Sequence, residues 1–165
     1  MLNIGLLILR IVLGVIFLGH GSQKLFGLFG GSGLKGTTQW IGSMGLRPAW
    51  FWGGIASLSE FVGGLLLVLG FLSPLGSLGI IASMLVAIIQ VHFPHGFWNT
   101  KGGIEFPLTN IAAALALAFT GPGAYSLDAA LGITLPEPAF LIVGLVAVIL
   151  GIALSQVTRA RVPGA

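Results

Sequence analysis

At 165 residues, 56% hydrophobic and only 7% charged, the chain has too little polar material to wet a soluble surface. Its eleven charged side chains compare with roughly forty in an average soluble domain of this length. The net charge of +3 comes from Lys and Arg scattered singly along the chain, with no basic stripe and no aromatic platform, which argues against nucleic acid as a partner. Zero Cys excludes disulfides, CxxC redox chemistry, thiolate metal sites and a Cys nucleophile.

The N-terminal MLNIGLLILRIVLG lacks a basic leader and an A-x-A site and carries Arg10 within its apolar run, so it reads as a retained membrane span. Crossing the hydrocarbon takes roughly 20 apolar residues. The pattern predicts five spans: Ile4 to Leu28, Trp50 to Phe71, Leu75 to Phe93, a short Glu105 to Thr120, and Ala139 to Val157. Gly30-Gly31-Ser32-Gly33 ends the first, Ser73-Pro74 makes a tight turn between the second and third, and Gly121-Pro122-Gly123 closes the fourth. That turn predicts antiparallel packing of the second and third spans. Between the first two, Gln39, Trp40, Ile41, Met44 and Leu46 form an amphipathic stretch expected to lie along the membrane surface, with Trp50 and Trp52 as interfacial anchors.

Cytoplasmic loops retain Lys and Arg. With the N-terminus outside, Lys24, Lys35, Arg47, Lys101, Arg159 and Arg161 all fall on the cytoplasmic side, and the outer loops hold only Asp128 and Glu137. The expectation is a multi-pass cell-membrane protein, N-terminus out and C-terminus in. Its parts are a four-helix core over 1–127, an outer loop over 128–138, a further span over 139–158 and a tail over 159–165.

Charge at membrane depth is costly and normally faces the bundle or an aqueous cavity. Arg10 and Lys24, fourteen residues apart, fall within about 40° on one helix face, with His20 one turn before Lys24. Glu60 lies roughly 15 Å along the second span, near mid-depth. A carboxylate there either takes a proton or pairs, and Arg10 is the expected partner. His20, Lys24, His92, His95, Lys101 and Glu105 are expected to gather in the inner half of the membrane or at its inner surface.

Such a cluster suits proton-coupled handling of a quinone head group or another small polar molecule. Imidazole titrates near neutrality, a carboxylate relays a proton, and a Lys or Arg stabilises a developing anion. Glu60, His20 and Glu105 are the candidates for proton chemistry, and Arg10, Lys24 and His92 for holding the ligand. The sequence carries no CxxCH, no cysteine set for iron–sulfur and no G-x-G-x-x-G after a strand. No metal site is expected from three His without H-x3-H spacing.

Several segments carry a family resemblance: Leu9-Arg10-Ile11-Val12-Leu13-Gly14 through Phe17, Gly21 and Lys24-Leu25-Phe26-Gly27; Glu60-Phe61-Val62-Gly63-Gly64 with Leu69-Gly70-Phe71 and Pro74; and His95-Gly96-Phe97-Trp98 leading into Gly103-Ile104-Glu105-Phe106-Pro107-Leu108. In this order and spacing, over about residues 5 to 125, the chain resembles the DoxX-like family of small integral membrane proteins. That resemblance implies an all-α polytopic bundle of four helices and an oxidoreductase subunit, as in a thiosulfate:quinone oxidoreductase. It lands on Arg10, Lys24, Glu60 and Glu105. The span after Pro136-Glu137-Pro138 is a departure from the four-helix pattern.

The leading expectation is therefore a membrane subunit of a quinone-linked redox complex, with no covalently bound cofactor, working in the lipid bilayer with a soluble redox partner. A homo-oligomer is left open. A scaffold or assembly factor without chemistry ranks second, and a small-molecule transporter third.

Overall fold

The computed structural model describes residues 1–136 and 138–160 and is all-helical. Glu137 and Arg161, counted above on the outer loop and in the tail, lie outside the described residues. Seven α-helices follow in chain order: α1 Leu2–Phe26, α2 Gly33–Ser43, α3 Ala49–Leu69, α4 Ser73–Ala87, α5 Glu105–Thr120, α6 Leu127–Leu131 and α7 Ala139–Val157. α4 runs on through a π-helical turn, Ile88–His92, and a 3-10 turn, Phe93–His95. The stretches Leu2–Phe26, Ala49–Leu69, Ser73–His95 and Ala139–Val157 are long and apolar enough to cross a membrane, and α5 is a shorter apolar helix.

The apolar surface has the arrangement a bilayer demands. Ile4, Ile8, Ile11, Val12 and Val15 on α1, Ile55, Leu58, Val62 and Leu65 on α3, and Ile142, Val143, Val146, Ile149 and Leu150 on α7 all face outward. In water these stripes would form large exposed apolar patches; in lipid they are solvated. Inside, Leu13 and Phe17 of α1, Leu67 of α3, Ile80 and Ile81 of α4, and Ala114 and Leu117 of α5 make the core.

α1 and α3 pack at backbone contact because glycines face each other. A Cβ on Gly14 would stand 2.7 Å from the Gly64 carbonyl oxygen, and one on Gly64 would stand 2.5 Å from the Leu18 nitrogen. Small residues let two membrane helices approach this closely, where van der Waals packing drives association. The same contact fixes the antiparallel register and so decides which charges can meet.

The helix boundaries match the expected spans closely, with identical limits for α5 and α7. Helix α1 stops at Phe26 rather than Leu28 because Gly27 adopts a left-handed conformation and ends it (φ 72°). The amphipathic stretch is helical from Gly33, earlier than its apolar pattern suggested. It buries Ile41, with Leu46 just beyond it, against the bundle and leaves Trp40 exposed. The boundary expected at residue 127 falls inside a helix, since α6 occupies the first part of the expected outer loop.

Candidate functional site

Two groups of charged residues lie at opposite ends of the α1·α3 contact. At one end, Arg10 is only 3% exposed. Its guanidinium donates to the carbonyls of Leu67 at 3.1 Å and Val68 at 2.5 Å, and to that of Tyr125. Those α3 carbonyls belong to the last turn, which has no intrahelical donors and carries the negative end of the helix dipole. Three residues after Tyr125, Asp128 does the complementary work. Its carboxylate accepts from the backbone N–H of Leu72 at 2.8 Å and Ser73 at 3.1 Å, at the start of α4. Gly70, between them, fits because a Cβ there would lie 3.0 Å from the Arg10 guanidinium carbon. Arg10 and Asp128 together cap both sides of the α3–α4 hairpin.

The pairing of Arg10 with Glu60 expected from the sequence is not made. With Gly14 against Gly64, antiparallel travel puts Arg10 beside Val68, well past Glu60, and its side chain is occupied by carbonyls there. The partner of Glu60 is Lys24, whose Nζ lies 2.5 Å from Glu60 Oε1. Ser83 Oγ of α4 donates to the same oxygen at 2.5 Å. Glu60 is 1% exposed, whereas the Lys24 side chain is 29% exposed, so the pair is buried on one side and open on the other. Glu60 Oε2 is buried with no hydrogen-bond partner among the described residues.

This pair lies on the wall of a cavity of about 610 Å³. That is within the range of small-molecule sites, ~300–1,000 Å³. His20 and Lys24 come from α1, Trp40 and Ile41 from α2, and Met44 and Leu46 from the α2–α3 connection. α3 contributes Trp52, Ile55, Ala56, Ser59 and Glu60, and α4 with its π turn contributes Ser83, Met84, Ala87, Gln90, Val91 and His92. Phe106 and Pro107 at the start of α5 complete one side. Apolar walls with a few convergent polar groups are what a hydrophobic ligand with a polar head requires.

The last wall is α7, through Ala147, Val148, Gly151, Ile152 and Ser155. Its far end is tied back to the α2–α3 connection, where Arg159 Nε donates to the Met44 carbonyl at 3.0 Å and the Ala160 N–H to the Gly45 carbonyl at 2.8 Å. The fifth span is thus built into the cavity rather than appended to the bundle.

Of the six candidate residues, His20, Lys24, Glu60 and His92 line this cavity. His20 is exposed, with its ring tilted against Phe17 at 6.2 Å. His92 Nδ1 lies 2.6 Å from the Gly102 carbonyl. A carbonyl only accepts, so Nδ1 carries the proton there and Nε2 is left as the acceptor. Arg10 belongs to the hairpin caps. Glu105 holds the loop before α5, its carboxylate accepting from the Asn99 N–H at 2.9 Å, and it does not line the cavity.

Sequence reasoning missed Gln90, Ser83 and Asp128. Gln90 sits in the π turn with both its amide nitrogen and oxygen buried and unpartnered among the described residues. The signal for Ser83 and Gln90 was available as polar residues seven apart in an otherwise apolar span, hence on one helix face. The signal for Asp128 was Gly70, a left-handed helix end followed by two backbone donors needing an acceptor.

Comparison with known proteins agrees with this architecture. The DoxX family model matches residues 5–93. A protein named "Putative oxidoreductase CatD" of Bacillus subtilis (strain 168) is 33% identical over 126 residues, which is 76% of this chain and 86% of that protein. The "Inner membrane protein YphA" of Escherichia coli (strain K12) is 34% identical over 132 residues, 74% of this chain and 87% of its own length. "Inner membrane protein YqjF" of the same organism is 32% identical over 128 residues, 76% of this chain and 91% of its own. No solved structure matches the chain. From the matched model, the shared identity and a polytopic helical bundle, the chain belongs to the DoxX family.

Proposed function

We propose that this DoxX protein is the membrane subunit of a quinone-linked oxidoreductase complex, binding the quinone head group in the cavity beside Glu60 and Lys24 and working with a soluble redox partner. The observation that carries the reading is the pairing of a buried Lys24–Glu60 ion pair with a roomy apolar cavity. Purely structural buried pairs are enclosed by packing, because an open cavity beside them forfeits dispersion contacts. The residues fit a quinone class ligand: apolar side chains of α3, α4 and α7 for the ring and tail, and a few polar groups, Lys24, Glu60, Gln90 and His92 among them, for the oxygens.

When bound, a quinone supplies reversible two-electron, two-proton chemistry, its electrons in this reading coming from the soluble partner. The chain's own residues handle the protons and the positioning. Lys24 stabilises negative charge on a ligand oxygen while holding Glu60 in place. Glu60 takes or gives a proton at Oε2, the oxygen not used by Lys24 and Ser83. His20, exposed at the cavity edge, exchanges protons with water. His92, fixed by Gly102, offers Nε2 as a further acceptor. Positively charged Lys35, Arg47, Lys101 and Arg159 at the Lys24 end support a cytoplasmic placement of that end, with the N-terminus outside and the partner docking from the cytoplasm.

The test is solvent extraction of the protein purified from quinone-rich membranes. Quinone counted together with its reduced form is expected near one per chain in the wild type, is lost from Glu60→Gln and falls in His20→Ala. A quinone-free wild type that still stabilises a partner complex supports a scaffold instead. Solute flux across liposomes containing this protein alone supports a transporter.

A further inference from the structure

The two oxygens of Glu60 are not equivalent. Oε1 accepts from both Lys24 and Ser83, while Oε2 is buried with no partner among the described residues. A carboxylate paired with a lysine only accepts hydrogen bonds, so the complement Oε2 lacks is a donor. Seven residues after Ser83, and so on the same face of the helix, Gln90 brings an amide whose nitrogen and oxygen are likewise buried and unpartnered. It sits in the π turn Ile88–His92, a local widening of the helix that recurs at functional sites. Glu60 and Gln90 line the same cavity. The three bare atoms are two acceptors and one donor.

These atoms distinguish the two redox forms of the ligand assigned above, and the distinction rests on that reading. A quinone ring carries only acceptor oxygens. With Glu60 ionised, before any proton has moved onto Oε2, it satisfies the Gln90 amide nitrogen, leaves the Gln90 oxygen and Glu60 Oε2 bare, and sets carbonyl oxygens against a carboxylate. The reduced ring carries two hydroxyls, each both donor and acceptor, and satisfies all three atoms. Burying an ionised acceptor without a donor is among the costlier defects a site can hold. Lys24, the cationic wall group, donates to either form alike. We propose that the cavity reads hydroxyl groups and so holds the dihydroxy form of the ring in preference to the quinone, with Glu60 Oε2 accepting from one hydroxyl and the Gln90 amide engaging the other.

Three probes test this on the full-length protein in neutral detergent, with binding to protein-free micelles subtracted: a short-alkyl 1,4-benzoquinone, the matching 1,4-hydroquinone kept reduced without oxygen, and the dimethyl ether of that hydroquinone. The hydroquinone is expected to bind about tenfold or more tightly than the quinone or the ether, the effect of a donor reaching a charged acceptor. Quinone binding as tight as hydroquinone binding overturns this inference while leaving the cavity a quinone site. Failure of all three probes to bind overturns both. Gln90→Leu, checked for a wild-type melting temperature, is expected to cut hydroquinone affinity several-fold and leave the ether unchanged. An undiminished hydroquinone preference in that variant removes Gln90 from the proposal.

Discussion

The Arg10 end and the Lys24 end of the α1·α3 contact both bury charge, and they use it differently. Arg10 and Asp128 make their hydrogen bonds to backbone groups, those of the α3–α4 hairpin, where helix ends leave carbonyls and N–H groups unsatisfied, and the Tyr125 carbonyl of the loop before α6. Lys24, Glu60 and Ser83 bond to one another through side chains, beside a cavity, with a carboxylate oxygen left over. Charge directed at backbone holds the fold together. Charge directed at other side chains next to open space retains the capacity to meet a ligand.

Substitutions at the two ends should therefore fail in different ways. The largest expected effect is from Arg10→Met, which removes three charge-assisted bonds and leaves α3 and the Tyr125 loop without their shared donor. A loss of at least about 3 kcal/mol is expected, given roughly 1.5–3 kcal/mol for a single bond to a charged group. Melting in detergent and yield check this. Protein of wild-type stability would break the contrast.

Next is Glu60→Gln. It strips Lys24 of its counter-ion, but the Lys24 side chain is 29% exposed where Arg10 is buried, so the thermal cost should be clearly smaller than that of Arg10→Met while ligand binding falls tenfold or more. Comparing the melting shift with the binding loss in the two variants sharpens the contrast, and equal ratios would erase it. Gly151→Phe fills the cavity from α7. A Cβ at Gly151 meets nothing within 4 Å, so the fold should hold while binding is blocked. Smallest in its effect on binding is Asp128→Asn, which keeps one accepting oxygen but turns an amide N–H2 toward the second backbone donor and loses the charge, for about 1.5–3 kcal/mol of stability and unchanged binding.

Much of this was legible before the structure. The spans follow from apolar run length, and the facing of Arg10, His20 and Lys24 from the helical period. Partner choice was the part that periodicity does not carry. It depends on how far α1 is shifted along α3, and that shift is set by glycine contacts between helices: Gly14 on Gly64, and Gly21 against the Phe61 backbone. Once Gly21 sits on Phe61, Lys24 is within one turn of Glu60, while Arg10 is carried to the end of the hairpin. Helical periodicity alone names no partner for these glycines and so gives no register. Gln90 was legible as a polar residue seven after Ser83, but the π turn that holds it was not, since no apolar pattern announces one. Glu105, placed correctly at the start of α5, turned its carboxylate to the Asn99 backbone rather than the cavity.

The place of α7 is a further lesson from the comparison. The stretch matched by the family model ends at residue 93, yet the cavity is closed by Ala147, Gly151 and Ser155 and by the ties from Arg159 and Ala160 to the α2–α3 connection. In this chain a helix beyond the matched segment shapes the same site that the matched segment supplies with charge.

The central claim is that the space beside Glu60 and Lys24 receives a quinone-class ligand, and photoaffinity labelling with an azido-substituted alkyl quinone tests it most directly. In membranes containing the wild-type protein, label is predicted on peptides carrying Trp40, Gln90 and Gly151, and none there in Gly151→Phe. Label confined to the lipid-facing side chains Ile142, Val146 and Ile149, or unchanged by Gly151→Phe, would contradict the account.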